Sequence, residues 1–303
     1  DEEYFGTPPS DEEMKEQLKN FIKSNEMLFR FAQFIFRMKS RKVTEGTTKL
    51  NILRAFPMYE AHGWGLYPIR AKLTIQSVNQ VVPALARFAS QSEENKKFES
   101  FLLKAIASED NAEEINLSEL FKSYGSDKST THNYYKIYSC LLKELSEPKK
   151  IFEIGLGTNN VDVVSTMGKN GKPGASLRAF RDFTANAKVF GADFDRRVLF
   201  TEDRIETYFV DQTNIHTFTE LSQNVGNGFD LMIDDGLHSP NANLHSLYFF
   251  LQSIKVGGFA VVEDINVSTK PLWNVVGQLI QPSYVSAFIE TKSACMFIVQ
   301  RKE

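Results

Sequence analysis

Five short apolar segments, each closing on glycine or acidic residues or leading straight into them, constrain this chain more than any other feature. They fall at 150–154, 188–193, 205–210, 229–233 and 258–263, and helical periodicity falls between them at about 175–186, 214–223, 240–254 and 271–280. Strands that alternate with helices imply right-handed crossovers and a parallel sheet. In an open sheet of this kind, ligands bind outside the carboxyl ends of the strands. Three of those ends carry unusual chemistry: the run 151–158 (Ile-Phe-Glu-Ile-Gly-Leu-Gly-Thr), the run 229–238 (Phe-Asp-Leu-Met-Ile-Asp-Asp-Gly-Leu-His) and the run 259–264 (Phe-Ala-Val-Val-Glu-Asp). Together they describe one site.

The tail, 284–300, reads as two further strands around Thr291-Lys-Ser. These would form an antiparallel hairpin at the sheet edge. The expected fold is therefore α/β, a doubly wound, mainly parallel, Rossmann-like sheet ending in an antiparallel hairpin. The first part of the chain differs. Apolar residues from Met14 to Ile35 recur at helical spacing within about 11–39, after a possible capping box at Ser10 and Glu13. Residues 61–68 are punctuated by two glycines and a proline, and helices are expected at about 69–90, bent at Pro83, and at about 93–108. This predicts a mainly helical N-terminal auxiliary domain over 1–115 and a sheet domain over 116–303. Between them, a polar loop after Leu120 runs into a helix that ends near Leu145.

At 303 residues the chain is long enough for both domains. The net charge of -3 gives no electrostatic reason to expect nucleic acid. No apolar run approaches the ~18 residues that span a membrane, and no signal peptide is visible. Cys140 and Cys295 lack metal-ligand spacing and read as buried thiols in a reducing compartment. A cytoplasmic protein is the expectation.

At the first strand end, Glu153-Ile-Gly155-Leu-Gly157 can bring backbone N–H groups close to a ligand, and Glu153 could accept from an ammonium. Asn160 stands where a dinucleotide-binding loop would carry its third glycine. Asp193 ends the next strand, where a carboxylate can take both hydroxyls of a ribose. Asp211 and Gln212 follow the third strand and are placed for a base edge. Ordered acids and glycines at successive strand ends suit a nucleoside.

Asp235, Glu263 and Asp264 are hard oxygen donors at the ends of two strands expected to be neighbours. Such ligands suit Mg²⁺, Mn²⁺ or Ca²⁺. An ion there would acidify and orient a hydroxyl. His238, three residues after Asp235, is the candidate proton acceptor. Asp234 either touches the nucleoside ligand or shares the metal. His245 follows His238 at i+7 and borders the same cleft, whereas His62 and His216 have no partners in sequence. Nucleoside, divalent ion and base in one cleft point to methyl transfer from S-adenosylmethionine to a hydroxyl.

With these residues assembled, a resemblance emerges. Gly125-Ser-Asp-Lys128, His132-Asn-Tyr134 and Tyr138 precede the glycine loop, and 174–178 (Gly-Ala-Ser-Leu-Arg), Asp193, 234–238 (Asp-Asp-Gly-Leu-His) and Glu263-Asp264 follow it. Over about 118–265 the chain resembles the metal-dependent sugar O-methyltransferases of macrolide biosynthesis, within the class I S-adenosylmethionine-dependent superfamily. The resemblance implies that His238 is the base and that Asp235, Glu263 and Asp264 hold Mg²⁺. It also implies a sugar-containing small-molecule acceptor and a homo-oligomer whose auxiliary domain helps to close a neighbouring site. The segment 158–173 is longer and poorer in glycine than that pattern, and it would shape a different acceptor pocket. Three other readings compete: a non-methylating, hydroxylase-like relative of the same fold, a binding or scaffold protein using the helical region, and, more weakly, an NAD enzyme.

Overall fold

The computed structural model describes residues 67–303. The expected helix at 11–39 and His62 lie outside the described residues. The chain divides into two compact units at Val81/Val82. Helix α1, Tyr67–Ala86, crosses that division with Pro83 inside it. The rest of the description concerns the second unit, Val82–Glu303.

That unit opens with three helices, α2 (Glu93–Ala107), α3 (Ala112–Tyr124) and α4 (Tyr134–Leu145). The elements that follow are β1 (Lys150–Ile154), α5 (Ala175–Phe183), β2 (Lys188–Asp193), β3 (Thr201–Glu202), β4 (Ile205–Phe209), α6 (Ile215–Val225), β5 (Phe229–Asp234), α7 (Pro240–Ser253), β6 (Ile254–Ile265), α8 (Lys270–Leu279), β7 (Tyr284–Glu290) and β8 (Cys295–Arg301). The sheet order is β3-β4-β2-β1-β5-β6-β8-β7. The central five strands are parallel, and β8 and β7 close the edge as an antiparallel hairpin. Both features match the expectation.

Strand alternation divides the core into two layers. On one face, Ile151, Val189, Ile205, Leu231, Ile233, Phe259 and Val261 pack with residues of α2, α3, α4 and α5. On the other, Phe152, Ile154, Phe190, Met232, Ala260 and Val262 pack with α6, α7 and α8. Phe152 anchors the second layer, its ring lying edge-on to Phe229, Phe249 and Phe250 at 5.6, 5.8 and 6.1 Å.

Two elements differ from the sequence reading. Helix α3 is additional to the expected elements, and Asn111 and Glu114 form a complete capping box at its start. The two-residue β3 pairs antiparallel with β4 and is too short to show periodicity. Among the described residues, no helix is long and apolar enough to cross a membrane.

Candidate functional site

The carboxyl ends of β1, β2, β4 and β5 surround a cavity of about 520 Å³, a size that suits a small-molecule ligand. Gly155, Gly157, Asp193, Asp211, Gln212 and Asp235 all line it. Gly155 has φ +94°, and a Cβ there would lie 2.0 Å from the carbonyl oxygen of Asp235. Hydrogen bonds from Gly155 N to Ala192 O and from Asp235 N to Ile154 O, both 2.8 Å, lock the three strand ends together. The glycine is therefore required by close backbone packing. Gly155→Ala should cost about 2–3 kcal/mol in backbone strain alone and should weaken ligand binding in the cavity. Thermal melting checks the first effect, and an unchanged melting temperature would contradict it.

Asp193 is 8% exposed, and its oxygens accept from Leu156 N and Asp195 N at 2.8 Å each. Burial raises its carboxyl above the usual range. Each oxygen retains a second lone pair for a ligand hydroxyl. Asp211 is also bonded locally, its Oδ1 accepting from the backbone N and the side-chain Oγ1 of Thr213. Phe194, Asp195 and Arg197, which carry no signal in the sequence beyond their place after β2, line the cavity too. Asp195 accepts from Thr158 Oγ1 (2.7 Å) and Asn160 Nδ2 (2.8 Å), which ties the start of the 158–173 segment to β2. That segment folds back through a Thr158–Thr166 bridge, and its residues 162–165 form one wall of the cavity.

Gln212 turns inward. Its Nε2 donates to Asp234 Oδ1 and to Ser246 Oγ at 2.7 Å each, and its Oε1 accepts from Leu237 N at 2.8 Å. Asp234 is fully buried and also accepts from Asn243 Nδ2 at 2.9 Å. It is neither among the residues lining the cavity nor one of the converging trio described next. It braces the turn that carries Asp235 and His238. His245 belongs to the same brace, with Nδ1 2.7 Å from Gln212 O. His216 lies exposed in the first turn of α6, its backbone N–H bonded to the cap Asn214.

At the other end of the cavity wall, Asp235, His238 and Asp264 converge, with one potential ligand atom from each lying within 4.8 Å of the others. His238 Nε2 stands 3.8 Å from both Asp235 Oδ1 and Asp264 Oδ2. His238 and Asp264 both adopt φ 54°. Left-handed backbone at two non-glycine residues of one cluster is a strain that functional sites commonly retain.

Glu153 and Glu263 sit behind this cluster. Alternation explains why: Glu153, Asp235 and Glu263 continue the face on which Ile151, Ile233 and Val261 are buried, so all three carboxylates meet the helix layer that carries α4. Lys128, fully buried, stands among them, 2.6 Å from Asp235 Oδ2, 2.6 Å from Glu263 Oε2 and 3.2 Å from Glu153 Oε1. Ser176 Oγ donates to Glu153 at 2.5 Å, and Tyr138 Oη donates to Glu263. Burial alone would lower the Lys128 ammonium, but the charges of Asp235, Glu263 and Glu153 outweigh it and hold the group well above its usual range. Burial pushes Glu263 well up. Tyr134 Oη donates to Asp264 Oδ1 at 2.5 Å, and His132 stacks on its ring. Glu153 is thus absent from the cavity wall, and Glu263 from the converging trio.

No family model matches the chain. Over 153 residues it is 27% identical to the 8-demethyl-8-(2-methoxy-alpha-L-rhamnosyl)-tetracenomycin-C 3'-O-methyltransferase of Streptomyces olivaceus, a match covering 50% of this chain and 37% of the relative. It is 28% identical over 152 residues to the demethylmacrocin O-methyltransferase of Streptomyces fradiae, covering 50% and 36%. It is 31% identical over 93 residues to the mycinamicin VI 2''-O-methyltransferase of Micromonospora griseorubida, covering 30% and 23%. The matched stretches span less than half the length of these curated relatives. Among solved structures, the MycE methyltransferase of mycinamycin biosynthesis, in complex with Mg, SAH and mycinamycin VI, aligns with TM-score 0.50 and 20% identity over 62% of this chain and 55% of that chain. The chain therefore has the class I methyltransferase fold, and its sequence resembles sugar O-methyltransferases.

Proposed function

We propose that this chain transfers a methyl group from S-adenosylmethionine to a hydroxyl of a sugar, glycoside or related small polyol, with assistance from Mg²⁺. One observation carries the reading. A cavity fit for a nucleoside and a strained Asp235–His238–Asp264 cluster share a wall at Asp235. The relatives' activities, O-methylation of a rhamnosyl-tetracenomycin and of demethylmacrocin, point the same way.

In this reading, Asp193 takes the ribose hydroxyls, and the loop from Gly155 to Gly157 borders the donor. Asp235 and Asp264 present hard oxygens to the ion, a donor set that suits Mg²⁺. The bound ion would acidify the acceptor hydroxyl. His238 Nε2 takes that proton as the hydroxyl oxygen bonds to the methyl carbon and the carbon–sulfur bond breaks, leaving S-adenosylhomocysteine. Holding donor and acceptor in line supplies much of the acceleration. All of these groups lie between Glu153 and Asp264, so the reaction is assigned to the domain 116–303.

Incubation of the chain with donor, Mg²⁺ and a panel of glycosides bearing vicinal hydroxyls tests this reading. S-adenosylhomocysteine should accumulate one-for-one with methylated product and should stop with a chelator. Turnover that ignores the chelator would remove the ion from the account, and no product across the panel would count against the acceptor class. Asp193→Ala should weaken donor binding by about 10–100-fold, the worth of charge-assisted hydrogen bonds, as read by calorimetry. Equal affinity would exclude Asp193 from the donor site.

A further inference from the structure

Three side chains of the motif from Gly125 to Tyr138 hydrogen-bond to the acid cluster. Each occupies particular oxygens. Lys128 takes Asp235 Oδ2 and Glu263 Oε2, both at 2.6 Å. Tyr138 takes Glu263 Oε1, and Tyr134 takes Asp264 Oδ1. Two oxygens on the cluster stay outside these bonds, Asp235 Oδ1 and Asp264 Oδ2, and both face His238 Nε2 at 3.8 Å. Glu263 has an internal donor on each oxygen and is 1% exposed.

An ammonium offers three N–H donors; Lys128 gives two of them to Asp235 Oδ2 and Glu263 Oε2, and its charge also stands 3.2 Å from Glu153 Oε1 as an ion pair. A buried cation held in this way fills the inner half of the cluster. It also repels a second cation brought close, and the repulsion is strong where water is excluded.

We propose that Lys128 is a positioning residue, a fixed internal cation that confines the cluster to one divalent ion on the outer oxygens of Asp235 and Asp264, with Glu263 a buried neighbour and not a ligand. The inference rests on the metal-assisted reading above. It departs from the ligand set expected from the sequence, in which Glu263 holds the ion alongside Asp235 and Asp264.

Mn²⁺ binding to the full chain, with S-adenosylmethionine present, tests it by electron paramagnetic resonance and calorimetry, without reference to turnover. The wild-type protein should bind one Mn²⁺. Lys128→Met removes the charge at similar length and should bind Mn²⁺ at least tenfold more tightly, because the repulsion is gone and the inner oxygens are released. Glu263→Gln decides the matter if that variant does not fold. Its amide oxygen can still accept from Lys128, and its NH₂ can donate to the Tyr138 hydroxyl. It should keep Mn²⁺ affinity within tenfold of wild type, whereas Asp264→Asn should lose at least a hundredfold. An affinity loss in Glu263→Gln equal to that in Asp264→Asn would make Glu263 a ligand and overturn the proposal. Lys128→Met folded but binding no more tightly than wild type would overturn it as well. A wild-type protein that binds S-adenosylmethionine and no Mn²⁺ would instead sink the metal-assisted reading on which the inference stands.

Discussion

His238→Ala should slow methyl transfer by about 10²–10⁴-fold, the usual worth of a positioned proton acceptor, with S-adenosylmethionine affinity changed less than twofold. The two outcomes separate because the histidine sits on a braced turn. Leu237 N bonds to Gln212 Oε1, and Asp234 is held by Gln212 and Asn243. None of those bonds involves the imidazole. Its Nε2 faces the two carboxylate oxygens at 3.8 Å, and the side chain is 34% exposed, so a hydroxyl can reach it from solvent. Truncation should therefore remove a proton acceptor without loosening the donor cavity. Single-turnover rates across pH, beside a donor titration, make the check. A rate within threefold of wild type would take His238 out of the chemistry.

Lys128→Met should destabilise the fold by about 3–5 kcal/mol at neutral pH in the absence of divalent ions, the cost of removing one partner from a buried ionic network. Lys128 is fully buried, and Glu153 and Glu263 beside it are equally enclosed. With the ammonium gone, their charges are stranded. Burial already pushes Glu153 up to about 7 from an ordinary 4.5. A carboxyl whose folded pKa is raised contributes stability below its unfolded pKa and loses it as pH rises through the folded pKa. Lys128 itself lowers Glu153, so its removal raises that carboxyl above about 7, and the deficit of the variant should be greatest above pH 7 and shrink as pH falls toward 7, below which Glu153 is protonated in both proteins. Urea denaturation at several pH values with a chelator measures it. A midpoint equal to wild type at pH 7 would show that Lys128 does not hold the cluster together.

How much of this was legible follows from where the information sits in the chain. Strands β1 and β2 match the expected 150–154 and 188–193 because apolar runs ending in acid or glycine are local signals. Asp235, His238 and Asp264 were legible because strand order alone brings β5 beside β6. The roles of Lys128, Tyr134 and Tyr138 were not, since their partners lie 107 to 135 residues away and no periodicity links them. Alternation did hold one unused clue. Along β6, Val261 and Glu263 fall on one face, so Glu263 had to point toward the helix layer that carries Tyr138. The same rule sends Asp234 and Asp235 to opposite sides of β5, which separates the brace from the cluster. Gln212 was expected at a base edge from its position after β4. The acceptor it meets at Asp234 belongs to another strand, and only the fold brings the two together.

The most direct test of the account is calorimetric titration of S-adenosylmethionine into the metal-free chain, repeated with Mg²⁺. The account predicts micromolar, single-site binding in both conditions, undisturbed by NAD and weakened in Asp193→Ala. No binding in either condition would contradict the assignment of the cavity as a donor site, and with it the methyl-transfer reading.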